Sequence, residues 1–223
     1  ITSLNPPKST TAGIYPSWRS DAPFVHRPLE AANGKFYTTT ARGGDLVYSD
    51  RGDFRSGGRL VELDPNNPDP YQAVKVLHRF DLINGATPLG GLIAVKGQFY
   101  GSTCVSAQTV DGVATPISNG VIYQFNPAAT VNPYAVLHRF NGEDGACPRG
   151  ELLKASNGKL YGVTSAGGLN DKGVIFELDI KQATPKYRVL YHFDGASGEA
   201  PFNTLVQSTA DFNLYGTTIA GGI

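Results

Sequence analysis

The chain has 223 residues, enough to bury the core of one large domain or of two small ones. Its 19 basic and 19 acidic residues cancel, which argues against a broad basic surface for nucleic acid or an anionic membrane. No stretch approaches the roughly 18–20 apolar residues of a membrane-spanning helix. Charged residues make up only 17%, whereas glycine and proline are frequent, and this composition favours a turn-rich all-β chain.

The first residues, ITSLNPPKSTTAG, are polar and rich in proline, so we expect no signal peptide in them. From about residue 23 onward, short runs rich in Val, Leu, Ile, Tyr and Phe alternate with Gly, Pro, Asn and Asp, a pattern that predicts strands rather than helices. Residues 23–80 hold four such runs, and so do residues 86–140 and 146–193. A fourth unit begins near residue 200 and reaches residue 223 before its third run.

One phrase marks the second run of every unit. It reads GKFYTTTARGG at residues 34–44, GQFYGSTCVSA at 97–107, GKLYGVTSAGG at 158–168 and FNLYGTTIAGG at 212–222. We expect the tyrosine ring to pack between sheets with its hydroxyl at an edge, and the glycine to let the next unit approach closely. The third run follows a glycine, as in KGVIFELD, and the fourth reads VLHRF or VLYHF.

These four runs, named strands a to d, predict the fold class. A four-stranded sheet cannot cover both of its apolar faces, so it stacks on neighbours, and a ring of such sheets leaves none uncovered. The sequence therefore predicts an all-β fold, a β-propeller of about four units with four antiparallel strands each. A β-sandwich or a solenoid of repeated hairpins is the alternative.

The consensus VL-H/Y-x-F, DG-x-x-P, G-x-LYG-x-T, GG and G-x-VF-x-L resembles the bacterial tandem repeats called GloVer, which occur in secreted and surface-anchored proteins. The resemblance covers roughly residues 23–223 and is strongest over residues 136–178. It implies a propeller fold and export, and it specifies no activity. Unit one departs from the pattern because Thr38 follows Tyr37 where the repeat has glycine, and units one and two carry long insertions.

We expect residues 1–223 to form a single propeller domain, with residues 1–22 as a ring-closing outer strand. GIYPSWRSDAPF at residues 13–24 echoes LYHFDGASGEAPF at residues 190–202, which assigns Tyr15 and Trp18 to that strand. A third strand of the last unit is still missing. We therefore favour a chain that stops short of further blades or forms part of a larger ring.

In an antiparallel unit, the loops from b to c and from d to the next a emerge on the same face, which we name the loop face. The b–c loop is short in unit three but long in unit one (residues 41–58) and unit two (residues 105–120). Elaborated loops on one face of a rigid scaffold commonly carry binding. We expect the loop face to contact a protein or glycan partner.

Residues at the start of strand a break the repeat and are predicted to surround the mouth of a central channel. There they would hold a polar or anionic ligand, unless they are merely solvated rim residues. The candidate ligand-binding residues are His26, Arg27, Arg149, Glu151 and Asn203.

The familiar catalytic, zinc and phosphate-binding motifs are absent from the sequence, so it predicts no catalytic residue, metal ligand or cofactor. The segment NGEDG at residues 141–145 lacks the spacing of a calcium loop and is typical of an Asx turn. His78 and His138 recur at one place in units one and two, and such recurrence indicates a structural role.

The two cysteines are expected to meet. Cys104 ends strand b of unit two, and Cys147 lies in the d–a loop entering unit three, so both belong to the loop face. A disulfide there would close a loop of 42 intervening residues and would indicate an oxidising compartment, hence a secreted, cell-surface or periplasmic protein. Two buried free thiols are the alternative.

The leading functional hypothesis is a secreted or surface-associated scaffold for binding or assembly, without nucleic-acid binding or membrane insertion. The alternative is an extracellular carbohydrate-active enzyme, a hydrolase or lyase with its site at the channel mouth; we lean away from it. That enzyme would need paired carboxylates or a cluster of His, Tyr and Arg in the channel. Glu151 has no evident carboxylate partner in the sequence, and Asp21, Glu30 and Asp45 are left as candidates. A subunit of a larger assembly, with its blade edges covered by another chain, is the third hypothesis.

Overall fold

The computed structural model describes residues 27–43, 46–48, 54–69, 72–110, 113–117 and 119–222. Every regular element in these ranges is a β-strand. None of the described residues forms a helix with the length and apolar character needed to cross a membrane. The expected ring-closing segment, residues 1–22, and the candidate ligand residue His26 lie outside the described ranges.

The first sheet lies between residues 29 and 79. Its segment contains β1 (Leu29–Glu30), β2 (Phe36–Thr40), β3 (Leu46–Tyr48), β4 (Phe54–Ser56), β5 (Arg59–Leu63) and β6 (Val74–Arg79). Strands β1, β2, β5 and β6 form an antiparallel sheet in that order and are strands a to d of unit one. Strands β3 and β4 form a separate hairpin inserted in the b–c loop.

The second sheet repeats this plan, including the insertion. Its segment contains β7 (Ile93–Val95), β8 (Gln98–Thr103), β9 (Ser106–Val110), β10 (Val113–Ile117), β11 (Val121–Phe125) and β12 (Tyr134–Arg139). The sheet order is β7, β8, β11, β12, all antiparallel, and β9 pairs with β10 in a hairpin within the b–c loop. The sequence predicted long loops here, and the structure folds part of each loop into a hairpin.

Units three and four differ in how many strands they contribute. Unit three contains β13 (Ala146–Pro148), β14 (Leu153–Lys154), β15 (Leu160–Ala166), β16 (Val174–Asp179) and β17 (Lys186–His192). Unit four contains β18 (Glu199–Pro201), β19 (Val206–Gln207), β20 (Leu214–Tyr215) and β21 (Thr218–Ala220). In unit four the described residues form only strands a and b, through the pairs β18–β21 and β19–β20. The predicted all-β class with repeated four-stranded antiparallel sheets is confirmed.

Strand a is interrupted by a bulge, which the sequence did not predict. In unit three, Pro148 pairs with Thr164 and Leu153 pairs with Tyr161, so five steps on strand a match three on strand b. Unit four has the same offset between its two pairs of strands. The two extra residues leave a short unpaired segment, named the inner bulge, at residues 149–152 and 202–205.

The hydrophobic core lies between consecutive units rather than inside single sheets. Three buried clusters join units one and two, two and three, and three and four. They are centred on Tyr37, Leu60, Phe99 and Tyr123, on Tyr100, Ile122, Leu160 and Phe176, and on Tyr161, Val163 and Leu205. Each sheet therefore covers the apolar face of its neighbour, the arrangement expected for stacked repeats.

Aromatic stacking between strands d adds to these junctions. The His78 ring of unit one lies flat on Tyr134 of unit two, with ring centroids 3.9 Å apart. The His138 ring of unit two lies on Tyr187 of unit three at 3.7 Å. Burial lowers the pKa of His78 to about 4, so this imidazole is neutral at physiological pH. The structural role predicted for the two histidines is confirmed.

The glycine after the repeated tyrosine has a different structural role from the one predicted. A Cβ on Gly162 would lie 2.5 Å from Cζ of Phe176 and 3.0 Å from Leu152, and both residues belong to the same unit. Gly101 likewise faces Tyr123 of its own sheet. The prediction that the glycine admits the neighbouring unit is therefore wrong, because it makes room for the aromatic ring of strand c.

Candidate functional site

The repeated tyrosine belongs to a polar cluster linking strands b and c. In unit three, the Tyr161 hydroxyl donates to Oε2 of Glu177 at 2.7 Å, and Lys159 Nζ lies 2.8 Å from Oε1. Unit one repeats this cluster: the Tyr37 hydroxyl donates to Oε2 of Glu62 at 2.9 Å, and Lys35 Nζ lies 2.6 Å from Oε1.

Burial raises the pKa of the Glu177 carboxyl, but the hydrogen bonds from Lys159 and Tyr161 outweigh it and hold the pKa below its ordinary value. In unit two, glutamines replace the lysine and the glutamate, and Nε2 of Gln124 donates a hydrogen bond to Oε1 of Gln98 at 2.9 Å. A cluster that recurs in this way fastens strand b to strand c, and it does not mark a catalytic centre.

The loop face is built by hydrogen bonds between successive units. Each d–a loop donates a backbone N–H to the end of the preceding b–c loop. The bonds are Thr87 to Gly57 at 2.7 Å, Cys147 to Asn119 at 2.9 Å, and Ala200 to Lys172 at 2.9 Å. The two kinds of loop therefore lie together, as the strand order predicted. The hairpins β3–β4 and β9–β10 are both inserted in b–c loops of this face.

The predicted disulfide between Cys104 and Cys147 is present. It lies at the junction of units two and three, and Cys104 stands two residues before the first residue of β9. The disulfide therefore ties the base of the unit-two hairpin to the next unit. Cys147 has a left-handed φ of 53°, and so do Thr87 and Ala200 at the matching positions, with φ of 56° and 49°. The d–a loop thus keeps one strained conformation in units two to four.

Two of the five predicted ligand residues line a common cavity. Arg27 and Glu151 contribute to a cavity of about 300 Å³, whose other lining residues are Pro28, Leu29, Glu30, Phe36 and Leu92. These residues come from units one, two and three, so the inner strands of three units converge there. The cavity thus combines a guanidinium group and two carboxylates with an aromatic ring.

The remaining candidates lie elsewhere. The Arg149 guanidinium lies 5.0 Å from the centroid of the Phe202 ring, and among the described residues its buried Nε has no hydrogen-bond partner. Asn203 is exposed and donates to the Thr217 hydroxyl at 3.3 Å. These residues belong to inner bulges that touch one another: the Glu151 N–H donates to Oγ1 of Thr204 at 3.0 Å.

Phe36 follows the repeat, and the sequence did not predict it as a site residue. Phe36 pairs with Glu30 in the β1–β2 register, so a regular b strand fixes one wall of the cavity. It begins strand b, whereas Thr40 ends that strand next to the b–c loop. Glu30 and Phe36 therefore lie at the end of the sheet away from the loop face. Among the described residues, no group of three His, Cys, Asp or Glu side chains is placed to hold a metal ion.

Comparisons with known proteins place the chain among tandem repeats. The family model of the Gloeobacter/Verrucomicrobia repeat matches residues 108–223, just over half of the chain. No curated protein matches the chain significantly. Among solved structures, the chain is similar to a glycoside hydrolase family 43 arabinoxylan arabinofuranohydrolase from Bacillus subtilis, in complex with cellotetraose. That similarity has 11% sequence identity and a TM-score of 0.35, and it covers 87% of this chain and 37% of the enzyme.

Proposed function

The chain belongs to the Gloeobacter/Verrucomicrobia repeat family, and from this premise we propose that it is a secreted or surface-associated scaffold that binds a protein or glycan through its loop face. The observation that carries the proposal is that the b–c loop differs between units that otherwise share one strand order. Units one and two insert a hairpin into the b–c loop, whereas unit three closes the same loop with a short turn. Elaboration restricted to one face of a repeated scaffold is typical of binding.

The disulfide supports this proposal in two ways. It holds the base of the β9–β10 hairpin against unit three, and a binding loop fixed in advance loses less conformational entropy when it meets a partner. A disulfide between buried cysteines is also compatible with an oxidising extracellular compartment.

Loop replacement tests the scaffold function. Residues 42–58 and 105–120 are each replaced by AGGLNDKG, the unit-three sequence at the matching position, which leaves both cysteines in place. The probes are an array of plant and microbial glycans and cross-linking to proteins on intact cells. We expect the double replacement to lose the partners that the unaltered chain captures, while Leu169→Ser in the unit-three turn keeps them. Retention of the same partners by the double replacement would refute the proposal.

A second function, an extracellular carbohydrate-active enzyme, is favoured by one observation. Glu30 and Glu151 line the same cavity beside Arg27, and paired carboxylates are what glycoside hydrolysis requires. We rank it below the scaffold because Arg27 and Glu30 are exposed, and a catalytic acid generally needs a desolvated site. Release of reducing ends from a polysaccharide panel, abolished by Glu30→Gln and Glu151→Gln but not by Lys154→Gln, would establish the enzyme; no release by the unaltered chain would exclude it for that panel.

A further inference from the structure

A glutamate from unit three completes the cavity that unit one begins. Arg27, Glu30 and Phe36 belong to unit one, whereas Leu92 belongs to unit two and Glu151 to unit three. The Glu151 side chain therefore extends past the inner strand of unit two to reach the residues of unit one.

The inner strand of unit two leaves room for this side chain. At the sequence position of Glu151, unit one has Pro28, unit two has Gly91 and unit four has Thr204. A Cβ on Gly91 would lie 2.9 Å from Oε2 of Glu151 and 3.3 Å from its Cδ. The carboxyl group of Glu151 therefore occupies the space that a side chain at residue 91 would fill.

Contacts between the inner strands of successive units hold the backbone of Glu151 in place. Its N–H donates to Oγ1 of Thr204 at 3.0 Å. A Cβ on Gly90 would lie 2.8 Å from the Gly150 carbonyl oxygen, and a Cβ on Gly150 would lie 2.8 Å from the Asn203 carbonyl carbon. The two glycines thus let the units meet closely on both sides of Glu151, and this wall of the cavity is specified by the sequence of three units.

The lining restricts which ligands fit. Arg27 offers N–H donors and no acceptor, whereas the carboxylates of Glu30 and Glu151 accept hydrogen bonds. Leu29 and Phe36 add an apolar wall. A sugar ring suits this combination, because its hydroxyls both donate and accept and its C–H groups pack against apolar side chains. A lysine side chain does not suit it, since an ammonium group offers no acceptor to Arg27.

The charge and the size of the cavity select among sugars. Two carboxylates and one guanidinium group leave the lining with an excess negative charge. An ammonium group on a sugar makes charge-assisted hydrogen bonds to a carboxylate, whereas an acetamide group makes only the weaker kind between a neutral donor and a carboxylate. The volume of about 300 Å³ lies at the small end of ligand cavities, which favours one ring over a long chain.

We propose that this cavity binds an amino sugar that carries a free ammonium group. The ammonium group faces Glu30 and Glu151, while the ring packs on Phe36 with a hydroxyl towards Arg27. The ligand belongs to the glycan class of the proposed function, but its site lies away from the loop face. Binding there requires neither the loop-face partner nor hydrolysis.

Two matched oligosaccharides test the proposal. The trimer of glucosamine and the trimer of N-acetylglucosamine differ only in their amino groups, and each is titrated into the 223-residue chain by calorimetry or by ligand-observed nuclear magnetic resonance at physiological salt. We expect the glucosamine trimer to bind at least about tenfold more tightly, because the charge-assisted bonds are lost in the acetylated sugar. Trilysine, which has the ammonium groups without the sugar rings, should bind more weakly than the glucosamine trimer.

Two variants test the part played by Glu151. Glu151→Gln removes the charge at nearly constant shape and should weaken binding of the glucosamine trimer about tenfold. Gly91→Ala should weaken it similarly by displacing the carboxyl group. The three atoms nearest to the added methyl group all belong to the flexible Glu151 side chain, so the far-ultraviolet circular dichroism of Gly91→Ala should stay unchanged. Glu143→Gln, in the exposed d–a loop, is the matched control and should keep the affinity.

Several results would overturn the proposal. They are equal binding of the two trimers, binding of neither, trilysine binding as tightly as the glucosamine trimer, and an unchanged affinity in Glu151→Gln or in folded Gly91→Ala. The double loop replacement separates this site from the loop face, because it should keep the glucosamine trimer even where it loses other partners. Loss of the trimer in that replacement would place the sugar on the loop face and would overturn the cavity site alone.

Discussion

Units three and four carry the same tyrosine-glycine phrase and the same register along their inner strands, yet only one of them is buried. Tyr161 is 7% exposed and bonded to Glu177, whereas Tyr215 is 55% exposed and bonded to Asp211. The two units share the inner bulge and the strained d–a loop. The phrase therefore fixes the local path of the chain, while its burial depends on strand c and on the next unit.

The largest expected effect comes from removing the two tyrosines in turn. Tyr161→Ala should lower the free energy of unfolding by about 3–5 kcal/mol, because it opens a cavity in the unit-three and unit-four core and leaves Glu177 with one fewer donor. Tyr215→Ala should cost less than about 1 kcal/mol, because most of that side chain is already solvated. Urea unfolding followed by far-ultraviolet circular dichroism measures both values. Equal losses of stability would show that burial does not distinguish the two tyrosines.

The junctions offer a second contrast, because a disulfide joins units two and three but not units three and four. Cys104→Ser with Cys147→Ser should lower the free energy of unfolding by about 3–4 kcal/mol, since the cross-link no longer restricts the unfolded chain. Ser165 and Ala200 occupy the matching positions of the next junction. Ser165→Cys with Ala200→Cys should therefore form a second disulfide, detected as a loss of two alkylatable thiols; two free thiols would show that the junctions differ in geometry.

The smallest effect concerns the polar cluster of unit three. Glu177→Gln should cost about 1 kcal/mol at neutral pH, because the bonds to Lys159 and Tyr161 weaken in a partly solvated site. The folded-state pKa of Glu177 lies below its ordinary 4.5, so its contribution is complete above that pH and is lost as the pH falls through the folded-state value.

A double variant separates the contribution of charge to the stability of this cluster from the contribution of side-chain shape. Lys159→Gln with Glu177→Gln recreates the Gln98–Gln124 pair of unit two, and it should restore part of the stability lost in Glu177→Gln. Its unfolding free energy should also vary less with acid pH than that of the unaltered chain. A pH dependence identical to that of the unaltered chain would show that other carboxyls control acid stability.

The sequence predicted the strands and the loop face well, because both follow from short-range patterns. Runs such as VLHRF and KGVIFELD alternate with turn residues, and antiparallel order then brings Cys104 and Cys147 to one face. The interrupted strand a was not predictable in this way, since its bulge is defined by contacts with the neighbouring inner bulges.

The candidate cavity was predicted only in part. Arg27 and Glu151 were predicted as site residues because they differ from the repeat. Phe36 matches the repeat, so the sequence did not single it out. Convergence of side chains from three units depends on how the sheets are inclined to each other, which local patterns do not specify. The contact of the repeated tyrosine with Glu62 or Glu177 could have been found, because the strand b and strand c positions match in register in both units.

Hydrogen exchange measured by mass spectrometry can show whether strand c and the next unit bury the repeated phrase. The measurement compares residues 160–166 with residues 214–220 in the 223-residue chain at neutral pH. We predict strong protection of residues 160–166, which lie between two paired strands, and exchange within seconds to minutes along the open edge of residues 214–220. Equal protection of the two segments would contradict the account.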